Sequence, residues 1–271
     1  MISFPNAKIN LGLDVLDKRS DGYHNISSIF YPVKELYDVL EIVANNSTAD
    51  RYSFSGLSIP GDQSNNLIVK ALEIIRKDFE IPPLNIYLHK VIPMGAGLGG
   101  GSSDGSFMLK MLNELFSLKL DKPKLEALAL KLGSDCPFFI QNKPVLAEGR
   151  GELMTAVPLK LAGCFIALAF SNVHISTAEA YGNVARKSES RIREFIDEKP
   201  NFDRWKEEMT NAFEPYALSE YQQLKKVKKY FYEQGAVYTS MTGSGSAVYG
   251  IFEENPENLK LEDFSFWSGP A

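Results

Sequence analysis

The stretch Pro93-Met94-Gly95-Ala96-Gly97-Leu98-Gly99-Gly100-Gly101-Ser102-Ser103-Asp104 decides how this chain is read. Five of the seven residues from Gly95 to Gly101 are glycine. Glycine adopts positive φ and lets a ligand approach the backbone closely, and each one costs unfolded-chain entropy, so this density marks a loop with a purpose. Consecutive backbone N–H groups that run into a helix N-terminus form an anion site. Ser102 and Ser103 would open that helix and offer hydroxyls to phosphate oxygens or to magnesium. The bland alternative, a helix-entry turn that binds nothing, fits poorly with so many glycines.

The flanks narrow the chemistry. Residues 84–92 read as a strand before the loop, and a helix follows through Leu115. Gly95, Gly97 and Gly100 satisfy the dinucleotide pattern GxGxxG literally, but that pattern needs a second parallel strand ending in an acidic residue about 20 residues on. Residues 116–121 and a new helix over 123–132 stand there instead. No Gly-Lys-Ser/Thr follows the glycines, so the nucleotide-binding P-loop also fails. His-Arg-Asp and Asp-Phe-Gly are both missing, which excludes the protein-kinase pattern.

Upstream, Ile9, Leu11, Leu13 and Val15 alternate with Lys8, Asn10, Gly12 and Asp14. That is a strand on which Lys8 and Asn10 share one face. Ser20-Asp21-Gly22 is a turn, and residues 23–33 read as the returning strand. Residues 39–43 and 51–59 look like further strands, and 66–79 has helical spacing ended by Pro82-Pro83. Gly133-Ser134-Asp135-Cys136-Pro137 is a loop before apolar Phe138-Phe139-Ile140. The second half begins near Val157-Pro158. It offers strands at 163–170, 236–241 and 247–252, helices at 177–186, 189–196 and 219–233, and a glycine loop at 242–246. Helices and strands mix without a strict βαβ alternation, so the expected class is α+β.

Composition bounds the function. The chain has 271 residues, enough for one large domain or two of ordinary size, with 44% apolar and 23% charged residues. Net charge is −5, and no stretch gathers enough Lys and Arg to follow a nucleic-acid backbone. The densest basic run, Lys225, Lys226, Lys228 and Lys229, interleaves with Leu224, Val227 and Phe231 as the solvated face of an amphipathic helix. Cys136 and Cys164 form no CxxC pair, which fits a reducing cytoplasm. Residues 1–10 lack an apolar signal core, and no apolar run approaches the ~20 residues of a membrane helix.

The glycine stretch resembles the phosphate loop of the galactokinase, homoserine kinase, mevalonate kinase and phosphomevalonate kinase (GHMP) superfamily. Pro5-Asn6-Ala7-Lys8-Ile9-Asn10-Leu11 resembles its N-terminal motif. Met241-Thr242-Gly243-Ser244-Gly245-Ser246-Ala247 resembles its C-terminal glycine motif. All three occur in the expected order and span nearly the whole chain. Asp21-Gly22-Tyr23-His24, the loop 133–139, Glu148-Gly149-Arg150-Gly151-Glu152 and Ile175-Ser176-Thr177 resemble one branch. That branch acts on a methylerythritol bearing a cytidine diphosphate group. One departure is minor: Gly105 stands where alanine is usual after the serine pair, which would loosen the first helical turn without changing the chemistry.

The resemblance implies two domains, 1–157 and 158–271, with an active cleft between them. It implies ATP with magnesium, a small-molecule substrate and phosphate transfer to a hydroxyl. Lys8 and Asp135 are the implied catalytic pair: the carboxylate accepts the hydroxyl proton and the lysine keeps it ionised and steadies the phosphoryl group. By residue type alone, Asp135 would be a loop cap and Lys8 a surface lysine on an edge strand. The phosphate loop, Pro93 to Ser103, would hold ATP, with Asn65, Asn66 and Lys90 on the adenine or ribose side. Helix-cap and surface roles compete for these last three. Tyr23 and His24 would hold the cytosine by stacking and hydrogen bonding, with Tyr181 closing the other side. Thr177, Asn10 and Gly243 complete the substrate set. Cys136 is expected to pack, and His89 and His174 to be ordinary surface or strand residues.

Three other functions compete: a sibling kinase for mevalonate, homoserine or a sugar, a regulator that kept the fold and lost catalysis, and a dinucleotide-dependent oxidoreductase. The Tyr23-His24 pair and the compact length weigh against the first. The presence of both Lys8 and Asp135 weighs against the second, and the failed dinucleotide context against the third.

Overall fold

The computed structural model describes all of residues 1–271. The chain opens with β1 (Ile2–Ser3), β2 (Asn6–Lys18), β3 (His24–Tyr37), β4 (Val39–Ala44) and β5 (Arg51–Gly56). After a 3-10 turn at Gln63–Asn65 come α1 (Leu67–Arg76), β6 (Leu84–Lys90), α2 (Gly100–Leu115), α3 (Lys122–Leu132) and α4 (Cys136–Gln141). Then follow β7 (Val145–Gly149), β8 (Leu153–Ala156), β9 (Phe165–Ser171) and α5 (Thr177–Gly182). A 3-10 turn at Ile192–Phe195 precedes α6 (Phe202–Glu208), α7 (Glu214–Glu220) and α8 (Gln222–Glu233). The chain closes with β10 (Tyr238–Met241), β11 (Val248–Phe252) and β12 (Phe264–Pro270). This is the α+β class expected from the sequence. No helix is long and apolar enough to cross a membrane.

The elements form two compact units that interleave along the chain. The first comprises Met1–Ala7, Leu36–Met94 and Gly99–Lys143. Its sheet has the order β1-β4-β6-β5, antiparallel except for the parallel β5–β6 pair. Leu40, Ile42, Leu84, Ile86 and Leu88 point inward from the sheet and meet Ile68, Leu72 and Ile75 of α1 and Met108 and Leu112 of α2. That is the period-2 stripe of a strand packed on the period-3.6 stripe of a helix. Asn66 caps α1 through its side chain, and Asp121 caps α3.

The second unit comprises Lys8–Glu35, Gly95–Leu98 and Pro144–Ala271. The expected boundary at 157/158 falls inside it. It holds two four-stranded sheets, ordered β2-β3-β7-β8 and β10-β11-β9-β12. A core of Val15, Ala167, Ala169, Phe213, Leu224, Val227, Phe231, Met241 and Val248 joins strands to α7 and α8. Lys225, Lys226 and Lys229 of the basic run lie outward, Lys228 turns to Glu214, and Leu224, Val227 and Phe231 are buried.

Several sequence expectations shift. Residues 189–196 form only the short 3-10 turn. The expected helix at 219–233 starts at Gln222, because Tyr221 leaves helical geometry (φ −113°, ψ 85°) between α7 and α8. Residues 136–141 are helical, since Pro137 lies in the first turn, where its missing N–H is harmless. The hairpin β7–β8 and the strand β12 carried no alternation strong enough to announce them.

Candidate functional site

Within the second unit the three motif blocks are tied together by hydrogen bonds. The carbonyl of Ala96 accepts from the Ala247 N–H at 3.3 Å, and that of Leu98 accepts from the Lys8 N–H at 2.9 Å. The Thr242 hydroxyl donates to the Gly97 carbonyl at 3.1 Å, and the Asn10 N–H donates to Thr242 Oγ1 at 3.1 Å. The N-terminal strand and the C-terminal glycine loop thus hold the phosphate loop by its own backbone. Gly95, Gly97 and Gly99 have φ of 70°, 79° and 69°, conformations that an L side chain rarely takes. At Gly97 a Cβ would also lie 2.0 Å from the Thr242 carbonyl oxygen. Glycine there serves loop-to-loop contact as well as ligand approach.

Lys8 and Asn10 are 3% and 2% exposed, so both faces of this strand are covered and Lys8 is not a surface lysine. The Lys8 ammonium donates to Asn10 Oδ1 and lies 4.8 Å over the Phe30 ring. Asn10 Nδ2 donates to Ser28 Oγ at 2.9 Å, and the Tyr249 hydroxyl donates to the Asn10 carbonyl at 2.9 Å. A buried cation needs such partners. This network sets the direction of the ammonium.

Two residues that the sequence left unnoticed brace the glycine loop. Asn211 is buried, and its amide donates to the carbonyls of Met241 and Gly243 at 2.8 and 2.9 Å. Glu214 accepts from the Met241 N–H, the Ser240 hydroxyl and Lys228. Their only signal was a polar pair spaced three apart, Asn211-Ala212-Phe213-Glu214, in an otherwise apolar turn.

Tyr23, His24, Thr177 and Tyr181 also lie in the second unit. His24 stacks on Tyr181, with ring centroids 5.1 Å apart and planes 20° apart. Phe213 packs edge-on against the same tyrosine. His24 thus covers one face of Tyr181. Burial, then the charges of Lys18 and Arg186, hold the His24 imidazole below its ordinary pKa, which keeps it neutral at pH 7. Tyr23 is 53% exposed, and the Arg150 guanidinium sits 5.0 Å from its ring. Thr177 is exposed at the start of α5, one turn before Tyr181.

The first unit carries the other half of the candidates. Gly99 precedes α2 in the left-handed region, and no side chain caps that helix. Its first amides are thus available to an anion. Ser103 is buried, and its hydroxyl has no hydrogen-bond partner. Asp135 stands directly before α4, and its carboxylate makes no capping bond to that helix. Cys136 is buried, and burial pushes its thiol up to about 12, which leaves it a packing residue.

Asn66 is occupied as the cap of α1, while Asn65 is exposed and accepts from Lys70 at 3.4 Å. Lys90 is 1% exposed and its ammonium bonds Asp38 and Asp104, so it is not a surface lysine. Gly105 is explained: a Cβ there would lie 2.9 Å from Leu67 Cβ, so the departure from alanine matches a closer approach of α2 to α1. His89 and His174 are exposed, the former bonded to Ser55.

Comparison with known proteins agrees with this geometry. The GHMP kinases N terminal domain matches residues 66–143, and the GHMP kinases C terminal domain matches residues 192–263. A 4-diphosphocytidyl-2-C-methyl-D-erythritol kinase of Azobacteroides pseudotrichonymphae is 48% identical over 98% of this chain and 98% of its own length. The protein of the same name from Porphyromonas gingivalis is 46% identical, covering 95% of this chain and 94% of its own. A crystal structure of 4-(cytidine 5'-diphospho)-2C-methyl-D-erythritol kinase superposes with a TM-score of 0.75 at 29% identity, covering 92% of this chain and 89% of that one. The mevalonate kinase of Methanococcus jannaschii, at 15% identity and a TM-score of 0.65 over 99% of this chain and 97% of its own, shares the fold. With near-complete coverage at such identity, the chain belongs to the GHMP kinases and, among them, to the 4-diphosphocytidyl-2-C-methyl-D-erythritol kinase family.

Proposed function

We propose that the protein transfers the γ-phosphoryl group of ATP to the carbon-2 hydroxyl of 4-diphosphocytidyl-2-C-methyl-D-erythritol. The products are the 2-phosphate and ADP, and the step belongs to the isoprenoid precursor route that does not use mevalonate. The observation that carries this reading is the hydrogen-bonded junction of the Lys8–Asn10 strand, the Gly95–Leu98 segment and the Thr242–Gly243 loop. It supports a phosphate cradle whose backbone geometry is fixed before any ligand arrives. The two free cysteines, Cys136 and Cys164, suit a reducing compartment such as the cytoplasm.

The chemistry assigns each residue a task. The substrate hydroxyl oxygen bonds to the γ-phosphorus as the bond from that phosphorus to the β,γ-bridging oxygen breaks. Asp135 accepts the hydroxyl proton. Lys8, held by Asn10, places a positive charge for the oxygens of the transferring group. The amides that open α2 take the phosphate chain. Tyr23 and His24 take the cytosine, the first by its exposed face and the second by a neutral imidazole that offers one donor and one acceptor. Thr177 and Gly243 line the same substrate.

Magnesium would neutralise phosphate charge here. The chain has no cluster of three or more His, Cys, Asp or Glu side chains suited to a metal. That donor set fits an ion carried in largely by the nucleotide phosphates, with the unpartnered Ser103 hydroxyl as a protein oxygen for it.

The test is a coupled ADP-release assay with the cytidyl substrate beside mevalonate, homoserine and galactose. Turnover confined to the cytidyl substrate is expected. Preference for any of the other three alcohols would move the protein to a sibling activity.

A further inference from the structure

Beneath the first turn of α2 lies a buried ionic triad. Lys90 ends β6 and its ammonium bonds Asp38 Oδ2 at 2.5 Å and Asp104 Oδ2 at 2.7 Å. The side chains of Lys90 and Asp38 are fully buried, and that of Asp104 nearly so. Asp38 Oδ1 also accepts from the N–H groups of Val91 and Ile92, at 2.6 and 2.9 Å. It therefore locks the backbone that leads from β6 toward the glycines. Asp104 is the fifth residue of α2. A Cβ on Gly100, the first residue of that helix, would lie 3.0 Å from the Lys90 ammonium nitrogen. The cation thus packs directly against the turn that carries the anion-binding amides. All of these residues lie within the first unit.

Buried charges are costly unless paired, and breaking one partner out of such a group is strongly destabilising. The triad has two carboxylates and one ammonium. If both carboxylates were ionised, it would place a net negative charge under a site for phosphates and oppose them. A neutral Asp104 removes that conflict. Burial raises the Asp104 carboxyl well above its ordinary value, and the neighbouring Asp38 carboxylate pushes the same way, against the pull of Lys90.

We propose that Lys90 and Asp104 are positioning residues for ATP: the Lys90–Asp104 hydrogen bond sets the first turn of α2 against β6, and with it the amides that receive the phosphates. Both side chains act through the helix turn that they anchor. The inference rests on reading that turn as the phosphate site and goes beyond it by naming what holds the turn in place.

The test compares Asp104→Asn with Asp104→Ala by calorimetric titration with magnesium ATP, well below the melting temperature of each variant. Asn keeps a neutral acceptor for the ammonium, so its ATP affinity should stay within about twofold of the parent. Ala cuts the helix free while leaving the Lys90–Asp38 pair intact, and should weaken ATP roughly tenfold, the scale of one charge-assisted hydrogen bond. The KM for the cytidyl substrate should change in neither variant. If Asp104→Ala does not fold, Asp104→Ser replaces it with the same expectation, because its hydroxyl is too short to reach Lys90. Parent-like ATP affinity in the Ala or Ser variant would overturn the proposal, as would equal loss in the Asn variant. A parent protein that binds no ATP would instead overturn the functional reading itself.

Discussion

Gly97 shows how one residue can serve two structures. Its φ of 79° and the 2.0 Å approach of the Thr242 carbonyl to any Cβ mean that a side chain here collides with backbone rather than only with phosphates. Gly97→Ala should therefore lower stability by about 1–3 kcal/mol through overpacking and strain, and ATP affinity should fall with it. Gly101 is the control. A Cβ there meets only the flexible end of Met94 at 3.9 Å, so Gly101→Ala should keep or slightly raise the melting temperature. Equal melting temperatures for the two variants would show that the loop-to-loop contact does not matter. Asp135 is argued by role. Asp135→Asn keeps the size and polarity of the side chain, so it should leave the fold intact and lower kcat by ~10²–10⁴, with ATP affinity nearly unchanged. A variant retaining most of its kcat removes Asp135 from the mechanism.

At the scale of elements, the decisive parts are loops held by single side chains. Asn211 satisfies two carbonyls of the glycine loop from a buried position. Asn211→Ala should cost about 1–3 kcal/mol for each carbonyl left unpaired, seen as a lower urea midpoint. Normal stability with normal kcat would mean that the loop holds itself. Asp50 staples three elements: it pairs with Arg76 of α1, accepts from the Leu84 N–H that opens β6 and directly precedes β5. Burial raises its carboxyl, but the bonds to Arg76 and Leu84 outweigh this and the net shift is downward. A lowered folded value means that the contribution is complete above the ordinary carboxylate range and disappears as pH falls through the folded value. Asp50→Asn should thus be less stable than the parent at pH 7, and the difference should shrink on acidification; a constant gap would exclude the linkage. These loops also mark what the sequence could announce. The strand around Ile9, Leu11 and Val15 was legible because its alternation is strict, even though both faces proved buried. The hairpin β7–β8 was not, since Gly149 and Gly151 read as a motif rather than a turn. Nor was β12, where Ser265, Ser268, Gly269 and Pro270 dilute the apolar pattern. The roles proposed for Lys8 and Asp135 come from resemblance, with the shared face of Lys8 and Asn10 beside it, and the acidic partners of Lys90 were not legible at all, because Asp38 and Asp104 come from distant parts of the chain.

For the whole molecule, the proposed function sets this protein apart from its sibling kinases by the base of its substrate. Cytosine presents an amino donor and a ring-nitrogen acceptor where uracil presents an acceptor and a donor. His24, held neutral by burial and the neighbouring cations Lys18 and Arg186, has one donor and one acceptor nitrogen, and it tells the two bases apart where the bound substrate's surroundings fix one tautomer. A pocket built for cytosine leaves groups unpaired with uracil, at roughly 1–3 kcal/mol each. The uridine analogue should therefore lose about tenfold or more in kcat/KM. Under the proposed function the stacking face is that of Tyr23, which is 53% exposed. Tyr23→Ala should raise KM for the cytidyl substrate and change KM for ATP much less, whereas His24→Ala should mainly erase the preference for cytidine over uridine. The measurement is steady-state kinetics with both analogues on the parent and on the two variants. Equal use of the two analogues by the parent would remove the cytosine pocket from Tyr23 and His24. A preference that survives His24→Ala would leave the pocket in place and pass the reading of the base edge to another donor, such as a backbone amide of the turn that carries Tyr23.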